Sequence, residues 1–203
     1  MKIVGLGIGR TATTSLHEAC EILGYRCFKD GWKIPVDEIC DLNHPTYEEY
    51  DCFTDTPYYY LYDKIDKKYP NSKFILTHRP IDGWLDSFEK LYNFHLVEKK
   101  WGESTHIHHI RFFGQKEFNR EIWTEKYNEH LYNVKTYFDG RENDLLQIDI
   151  INNDSNTNWE KICNFLDKDI PSEKFPFRDH LKSKENLKKL QEYEIIKKNS
   201  TGI

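Results

Sequence analysis

Along this chain, short unbroken apolar runs alternate with longer segments whose apolar residues recur every three or four positions. That alternation is the pattern of a parallel sheet flanked by helices. Lys2 to Leu6 (KIVGL) reads as a first strand, and TTSLHEACEILGY after it places Leu16, Ala19, Cys20 and Leu23 near helical spacing, ending at Gly24. Asp51 to Asp55 (DCFTD) reads as a short strand that stops at Pro57, and YLYDKIDKKYP as a helix closed by Pro70. Lys73 to His78 (KFILTH) is the clearest buried strand, and DGWLDSFEKLY, after Pro80, starts the next helix. Asp144 to Ile150 (DLLQIDI) reads as the last strand. NWEKICNFLDKDIP then forms a helix with Trp159, Ile162, Cys163 and Leu166 on one side. From about Asn93 to Arg120 the periodicity weakens and His, Phe and Trp become frequent, which marks an insertion or lid over a site. No internal repeat or low-complexity linker interrupts the sequence.

Between the first strand and the first helix lies VGLGIGRTATTSL, Val4 to Leu16. A glycine-rich turn feeding a helix N-terminus aims several backbone N–H groups at one point, where the helix dipole also favours an anion. The plainer reading is an ordinary turn with Thr13 or Thr14 as helix cap. The run Arg10, Thr11, Thr13, Thr14, Ser15 adds a cation and four hydroxyls to the glycines and favours a phosphate or sulfate site.

Composition narrows the partners. At 203 residues, with 38% hydrophobic and 31% charged residues, the chain suits one soluble domain spanning 1–203. A net charge of -5 argues against general nucleic-acid binding but is compatible with a local basic pocket. The five cysteines are odd in number and lack C-x-x-C spacing, so neither a disulfide framework nor a zinc site is expected. The N-terminal apolar run is too short for a signal peptide, and no stretch reaches the roughly 18 apolar residues of a membrane span. No membrane span and a cytoplasmic location are therefore expected.

Two nucleotide-binding patterns are absent. There is no G-K-[ST], and the KFILT strand ends in His78-Arg79-Pro80 rather than in a metal-binding acid. Gly5, Gly7 and Gly9 lack G-x-G-x-x-G spacing. The chain instead resembles the sulfotransferases that use 3′-phosphoadenosine 5′-phosphosulfate (PAPS), and more closely a branch of short proteins opening with G-x-x-R-T-x-T-T-S-L. The resemblance implies a three-layer α/β fold with a P-loop-type parallel sheet flanked by helices, and a helical acceptor-side insertion around 93–137. It implies that Gly9, Arg10, Thr11, Ala12, Thr13, Thr14 and Ser15 wrap the 5′-phosphosulfate, with Arg10 where the cytosolic enzymes carry lysine. It also implies that Arg79 and Ser87, eight positions apart in THRPIDGWLDSF, hold the 3′-phosphate. A guanidinium that forks onto phosphate and a hydroxyl on the following helix give that pair physical sense. The likeness runs from Lys2 to about Phe177, with Asn158 where the family has a glycine. Past Phe177, Arg178, Lys182 and Lys184 offer a basic loop over the cofactor or a plain charged surface helix.

The reaction so implied is in-line transfer of a sulfuryl group to a hydroxyl or amine of a small-molecule or glycan acceptor, without a metal. It needs stabilisation of developing charge, which falls to Arg10, and a base near the acceptor. FTDTPYYY stands where the cytosolic enzymes have a histidine segment, so Asp55 takes the base's place; its other role would be to cap the helix at Pro57. In THIHHI, His106, His108 or His109 rival it as base, although three histidines without a nearby acid make a poor metal site. Tyr58 to Tyr60 and Tyr62 read as one buried helix face or as an aromatic acceptor wall. Two other functions share these features: a kinase or NTPase of the P-loop superfamily, and a catalytically silent anion-binding module.

Overall fold

The computed structural model describes residues 1–98, 101–178 and Lys188. In chain order the elements are β1 (Ile3–Gly5), α1 (Thr13–Ile22), β2 (Cys27–Phe28), α2 (Val36–Ile39), α3 (Thr46–Glu49), β3 (Cys52–Phe53) and α4 (Tyr62–Lys68). They continue with β4 (Lys73–Thr77), α5 (Ile81–Glu98), α6 (Glu103–Phe113), α7 (Arg120–Tyr137), β5 (Leu145–Ile148) and α8 (Ser155–Leu166). The strands form one sheet in the order β2-β3-β1-β4-β5, and every pairing is parallel.

Three layers follow from the strand period of two. On β1, Ile3 packs on one face and Val4 on the other; on β4, Ile75 takes the first face while Phe74 and Leu76 take the second. The first face meets Leu16, Ala19 and Cys20 of α1 and Trp159, Ile162, Cys163 and Leu166 of α8, and the second meets Ile65 of α4 and Val134 of α7. Strands buried on both sides read as continuous apolar runs, which is why KIVGL and KFILT stood out. A third cluster lies beyond the strand ends, where Trp84 and Phe88 of α5, Phe113 of α6, and Trp123 and Tyr127 of α7 pack on Ile8. The rings of Phe113 and Trp123 are stacked, with centroids 3.6 Å apart. Within the weakly periodic 93–120 segment, α5 runs to Glu98 and α6 spans Glu103–Phe113, and Phe113 joins this second core.

Three local features differ from the sequence reading. β2 was not anticipated, because a two-residue edge strand gives no periodic signal. Tyr58–Tyr60 forms a 3-10 turn and α4 begins only at Tyr62, so the tyrosine run is not one helix face. The helix at Pro57 has no side-chain cap; Asp55 contributes its carbonyl to Tyr58 N–H, while its carboxylate accepts from Thr56 N–H. All five cysteines are free. Among the described residues no helix is long and apolar enough to cross a membrane.

Candidate functional site

In the order 2-3-1-4-5, β1 leads by way of α1 toward one sheet edge and β4 leads toward the other. Such a reversal opens a crevice at the carboxyl ends of the strands. Three segments meet there: the loop after β1 carrying Gly9 to Ala12, the loop after β3 carrying Asp55, and the loop after β4 carrying Arg79.

The loop after β1 is tightly built. Gly7 runs so close to the end of β4 that a Cβ on it would lie 1.8 Å from Thr77 Oγ1, 2.3 Å from Thr11 Oγ1 and 2.8 Å from the Thr77 carbonyl. Thr11 is fully buried; its backbone N–H and its hydroxyl both donate to Ile8 O, and its hydroxyl pairs with Thr77 Oγ1 at 2.8 Å. Thr11 therefore braces the loop from within. On either side of it, Arg10 (φ 75°) and Ala12 (φ 69°) adopt left-handed backbone, which turns successive N–H groups toward a common point. α1 begins at Thr13 with Ala12 as N-cap, no side-chain cap and no acid in its first turn. Neither Thr13 nor Thr14 caps the helix, so the positive end of its dipole faces the crevice. Ser15 is buried, and its hydroxyl accepts the Arg178 N–H at 3.0 Å.

Arg79 and Ser87 converge behind the same loop. Arg10 Nε donates to Ser87 Oγ at 2.9 Å, and an Arg79 guanidinium N–H reaches the Arg10 carbonyl at 3.4 Å. The Tyr127 hydroxyl clamps the Arg79 backbone, donating to its carbonyl at 2.9 Å and accepting its N–H at 3.1 Å. Arg79 Nε is buried with no hydrogen-bond partner among the described residues. A buried guanidinium N–H left unmet is costly, and an anionic oxygen is its natural complement. Trp84 Nε1 donates to Gly9 O at 2.9 Å and ties the aromatic cluster to the loop. Left-handed backbone, an uncapped helix and an unmet guanidinium nitrogen together fit an anionic ligand.

On the opposite side of Gly9 and Arg10 opens a cavity of about 370 Å³. Asp55 lines it next to Thr13, whose hydroxyl lies 3.4 Å from Asp55 Oδ2, and next to Gly9, where an added Cβ would sit 3.8 Å from Asp55 Oδ1. Burial pushes the Asp55 carboxyl above the usual carboxylate range, against the opposing pull of the Thr56 N–H, the Thr13 hydroxyl, Lys29 and Arg10. The other walls combine the aromatic residues Trp32, Tyr59, Phe88, Trp101 and Phe113 with the polar Lys29, Asp30, His95, Thr105 and His109. A carboxylate of raised basicity thus faces the loop after β1 across the cavity, an arrangement able to take a proton from one bound molecule while a second one is attacked.

The histidines of α6 divide. His108 is buried against the Tyr60 hydroxyl, outside the cavity lining, whereas His109 lines the cavity. Burial holds both rings near a pKa of about 4, so they are neutral at physiological pH. No metal-ligand grouping of His, Cys, Asp or Glu occurs among the described residues. Of the C-terminal cations, Arg178 donates from Nε to Glu18 at 2.7 Å on the surface, and Lys182 and Lys184 lie outside the described residues. The sequence reading missed Lys29 and Trp32. Both line the cavity, yet they follow the unanticipated β2 and stand in no recognisable spacing.

Comparison with known proteins bears on this geometry. A family described as sulfotransferase domain matches residues 2–183. The Ava biosynthesis cluster protein M of Aspergillus versicolor is 24% identical over 216 residues, a match that spans 87% of this chain and 80% of that protein.

Proposed function

This chain belongs to the sulfotransferase domain family, and on that basis we propose that it transfers a sulfuryl group from PAPS to a hydroxyl or amine of a small molecule. The supporting observation is the cavity that joins Asp55 to Gly9 and Arg10. PAPS supplies the activated sulfuryl group and a leaving phosphate. The N–H groups of the loop and the Arg10 guanidinium neutralise charge that builds on the transferring and leaving oxygens. Arg79 and Ser87, braced by Tyr127, fix the nucleotide so that the reacting bond points into the cavity. Asp55 takes the acceptor proton as the acceptor oxygen or nitrogen bonds to sulfur and the bridging phosphate oxygen departs with its electron pair. Burial raises the Asp55 pKa, and the Thr56 N–H, the Thr13 hydroxyl, Lys29 and Arg10 favour its carboxylate against that burial.

A cavity of about 370 Å³ with aromatic walls suits a compact small molecule better than an extended glycan chain. The relative from A. versicolor is named as a biosynthesis cluster protein, and a biosynthetic small-molecule acceptor agrees with that. Five free thiols accord with a reducing cytoplasm.

Calorimetry with 3′-phosphoadenosine 5′-phosphate tests the nucleotide half. Removing a forked guanidinium and a hydroxyl in the double variant Arg79→Ala, Ser87→Ala should weaken binding by at least about tenfold. Equal affinity of variant and wild type would sink the 3′-phosphate assignment. Transfer from labelled donor to a panel of hydroxylated acceptors tests the chemistry. Nucleotide binding with no transfer to any acceptor would leave a silent anion-binding module, and magnesium-dependent ATP turnover would favour the kinase reading.

A further inference from the structure

We propose that Cys27 and Cys52 form an oxidisable pair, which a peroxide joins into a reversible disulfide tying together the strand ends that lead to Lys29 and Asp55. Only the effect on turnover rests on the sulfuryl-transfer reading.

Sheet register brings the two cysteines together. β2 and β3 run parallel with Cys27 directly opposite Cys52. The Cys52 N–H donates to Arg26 O and the Thr54 N–H to Phe28 O, both at 3.1 Å, and these bonds fix the alignment. Neighbouring strands lie about 4.8 Å apart, within the roughly 4.4–6.8 Å that a disulfide spans between Cα atoms. Both side chains pack into the same cluster on one face of the sheet, where Cys20 of α1 joins them. Cys40 packs on the opposite face, and its thiol meets the Tyr60 hydroxyl at 3.8 Å.

The pair also divides the work of oxidation. Cys20 and Cys52 are buried, whereas Cys27 is partly exposed on the edge strand, so an oxidant reaches Cys27 first. In the reduced protein the Cys27 thiol donates to Tyr25 O at 3.4 Å. The neighbouring Cys20 and Cys52 thiols lower the Cys27 pKa against its burial, while the surrounding sulfurs and burial raise those of Cys52 and Cys20. A partly exposed sulfur of lowered pKa supplies the attacking thiolate, and a buried protonated one stays inert until a partner is oxidised beside it. In the first step the Cys27 thiolate attacks one oxygen of hydrogen peroxide, the O–O bond breaks, and the departing hydroxide takes up a proton as water. Cys27 is then a sulfenic acid. In the second, the Cys52 sulfur attacks the Cys27 sulfur, the S–O bond breaks, and the leaving hydroxide takes the Cys52 proton. Two thiols lose two electrons, and one peroxide becomes two waters.

What the bridge would hold lies close by. Lys29 follows Cys27 by two residues, Asp55 follows Cys52 by three, and both line the cavity. A disulfide draws the two Cβ atoms to about 3.8 Å and so shifts the loops that begin just beyond them.

Peptide mapping by mass spectrometry of the folded full-length protein, treated with hydrogen peroxide and then alkylated, tests the pair. A peptide joining Cys27 to Cys52 should appear and be lost on adding dithiothreitol, and Cys27 should react at least about tenfold faster than Cys40. Cys52→Ala should leave Cys27 as a sulfenic acid that dimedone traps, and Cys27→Ala should give no bridge, with thermal melts checking that each variant is folded. Absence of the joined peptide in the wild-type protein, a bridge from Cys27 to Cys20 instead, or faster oxidation of Cys40 would overturn the assignment, whatever the variants do. The bridged protein should transfer sulfuryl groups at least about tenfold more slowly, with recovery on reduction; unchanged transfer would overturn the link to the cavity. Mapping requires no turnover, so a bridge in a protein that transfers nothing would uphold the pair and remove the proposed reaction.

Discussion

Two alanine substitutions, two residues apart in one loop, should separate folding from function. At Gly7 the new methyl would overlap Thr77 Oγ1 at 1.8 Å, Thr11 Oγ1 at 2.3 Å and the Thr77 carbonyl at 2.8 Å. The hydroxyls can rotate away at the cost of their mutual hydrogen bond, about 1 kcal/mol. The carbonyl belongs to the interior strand β4 and has to retreat by about half an ångström, and such overpacking costs about 1–3 kcal/mol. Gly7→Ala should therefore lose about 3 kcal/mol, which for a domain of this size is about 10 °C in Tm. At Gly9 the nearest atoms to a new Cβ are Phe88 Cε2 at 3.6 Å and Asp55 Oδ1 at 3.8 Å, both ordinary contacts. Gly9→Ala should melt within about 2 °C of wild type, yet its methyl stands between the loop and Asp55 and should lower kcat/KM by about tenfold or more. Thermal melts and urea titrations give the first quantity, and sulfuryl transfer from labelled donor gives the second. A Gly7→Ala protein as stable as wild type would refute the packing argument, and an unimpaired Gly9→Ala enzyme would refute the placement of the reacting centre.

Asp55→Asn should reduce turnover by about 10²–10⁴-fold, the usual contribution of a positioned base. The same substitution should stabilise the protein at neutral pH. A carboxyl whose folded pKa is raised loses stability as pH climbs from its unfolded value of 3.8 through the folded one, so the gain over wild type should vanish in melts at lower pH. Lys29→Met removes a cation that favours the Asp55 carboxylate, and the acid limb of the kcat/KM profile should move to higher pH; an unmoved limb would disconnect Lys29 from the base. Tyr127→Phe frees the Arg79 backbone and should weaken bisphosphate binding measurably, with about 1 kcal/mol lost from one hydrogen bond.

The doubly buried strands and the anion loop were readable because each rests on a short-range signal. KIVGL and KFILT are apolar on both faces, and Arg10 with its hydroxyls sits beside the glycines. The apposition of Asp55 to Gly9 was reached only through the family resemblance, since nothing local ties DCFTD to the loop after β1. The acceptor cavity was the least legible part. Trp32 enters it from a 3-10 turn after a two-residue strand, Trp101 from the link just ahead of α6, and His109 from α6, whose aromatic residues pack against those of α5 and α7. That mutual packing blurs the helical period, so the segment looked irregular in sequence while forming a regular pair of helices. Thr11 shows the opposite limit: its place among the hydroxyls suggested a ligand, and the fold turns it inward to brace the loop.

Arg10, Ala12 and Asp55 all hold left-handed backbone although none is glycine. For Ala12 the left-handed conformation costs roughly 1–2 kcal/mol, and Ala12→Gly would recover it against about 0.4–1 kcal/mol of added freedom in the unfolded chain. Directed evolution for heat resistance alone should therefore drift toward glycine at position 12 and loosen the anion loop as it does so. Selection for turnover should keep the alanine, so the residue recovered there reports which of the two demands the population was under.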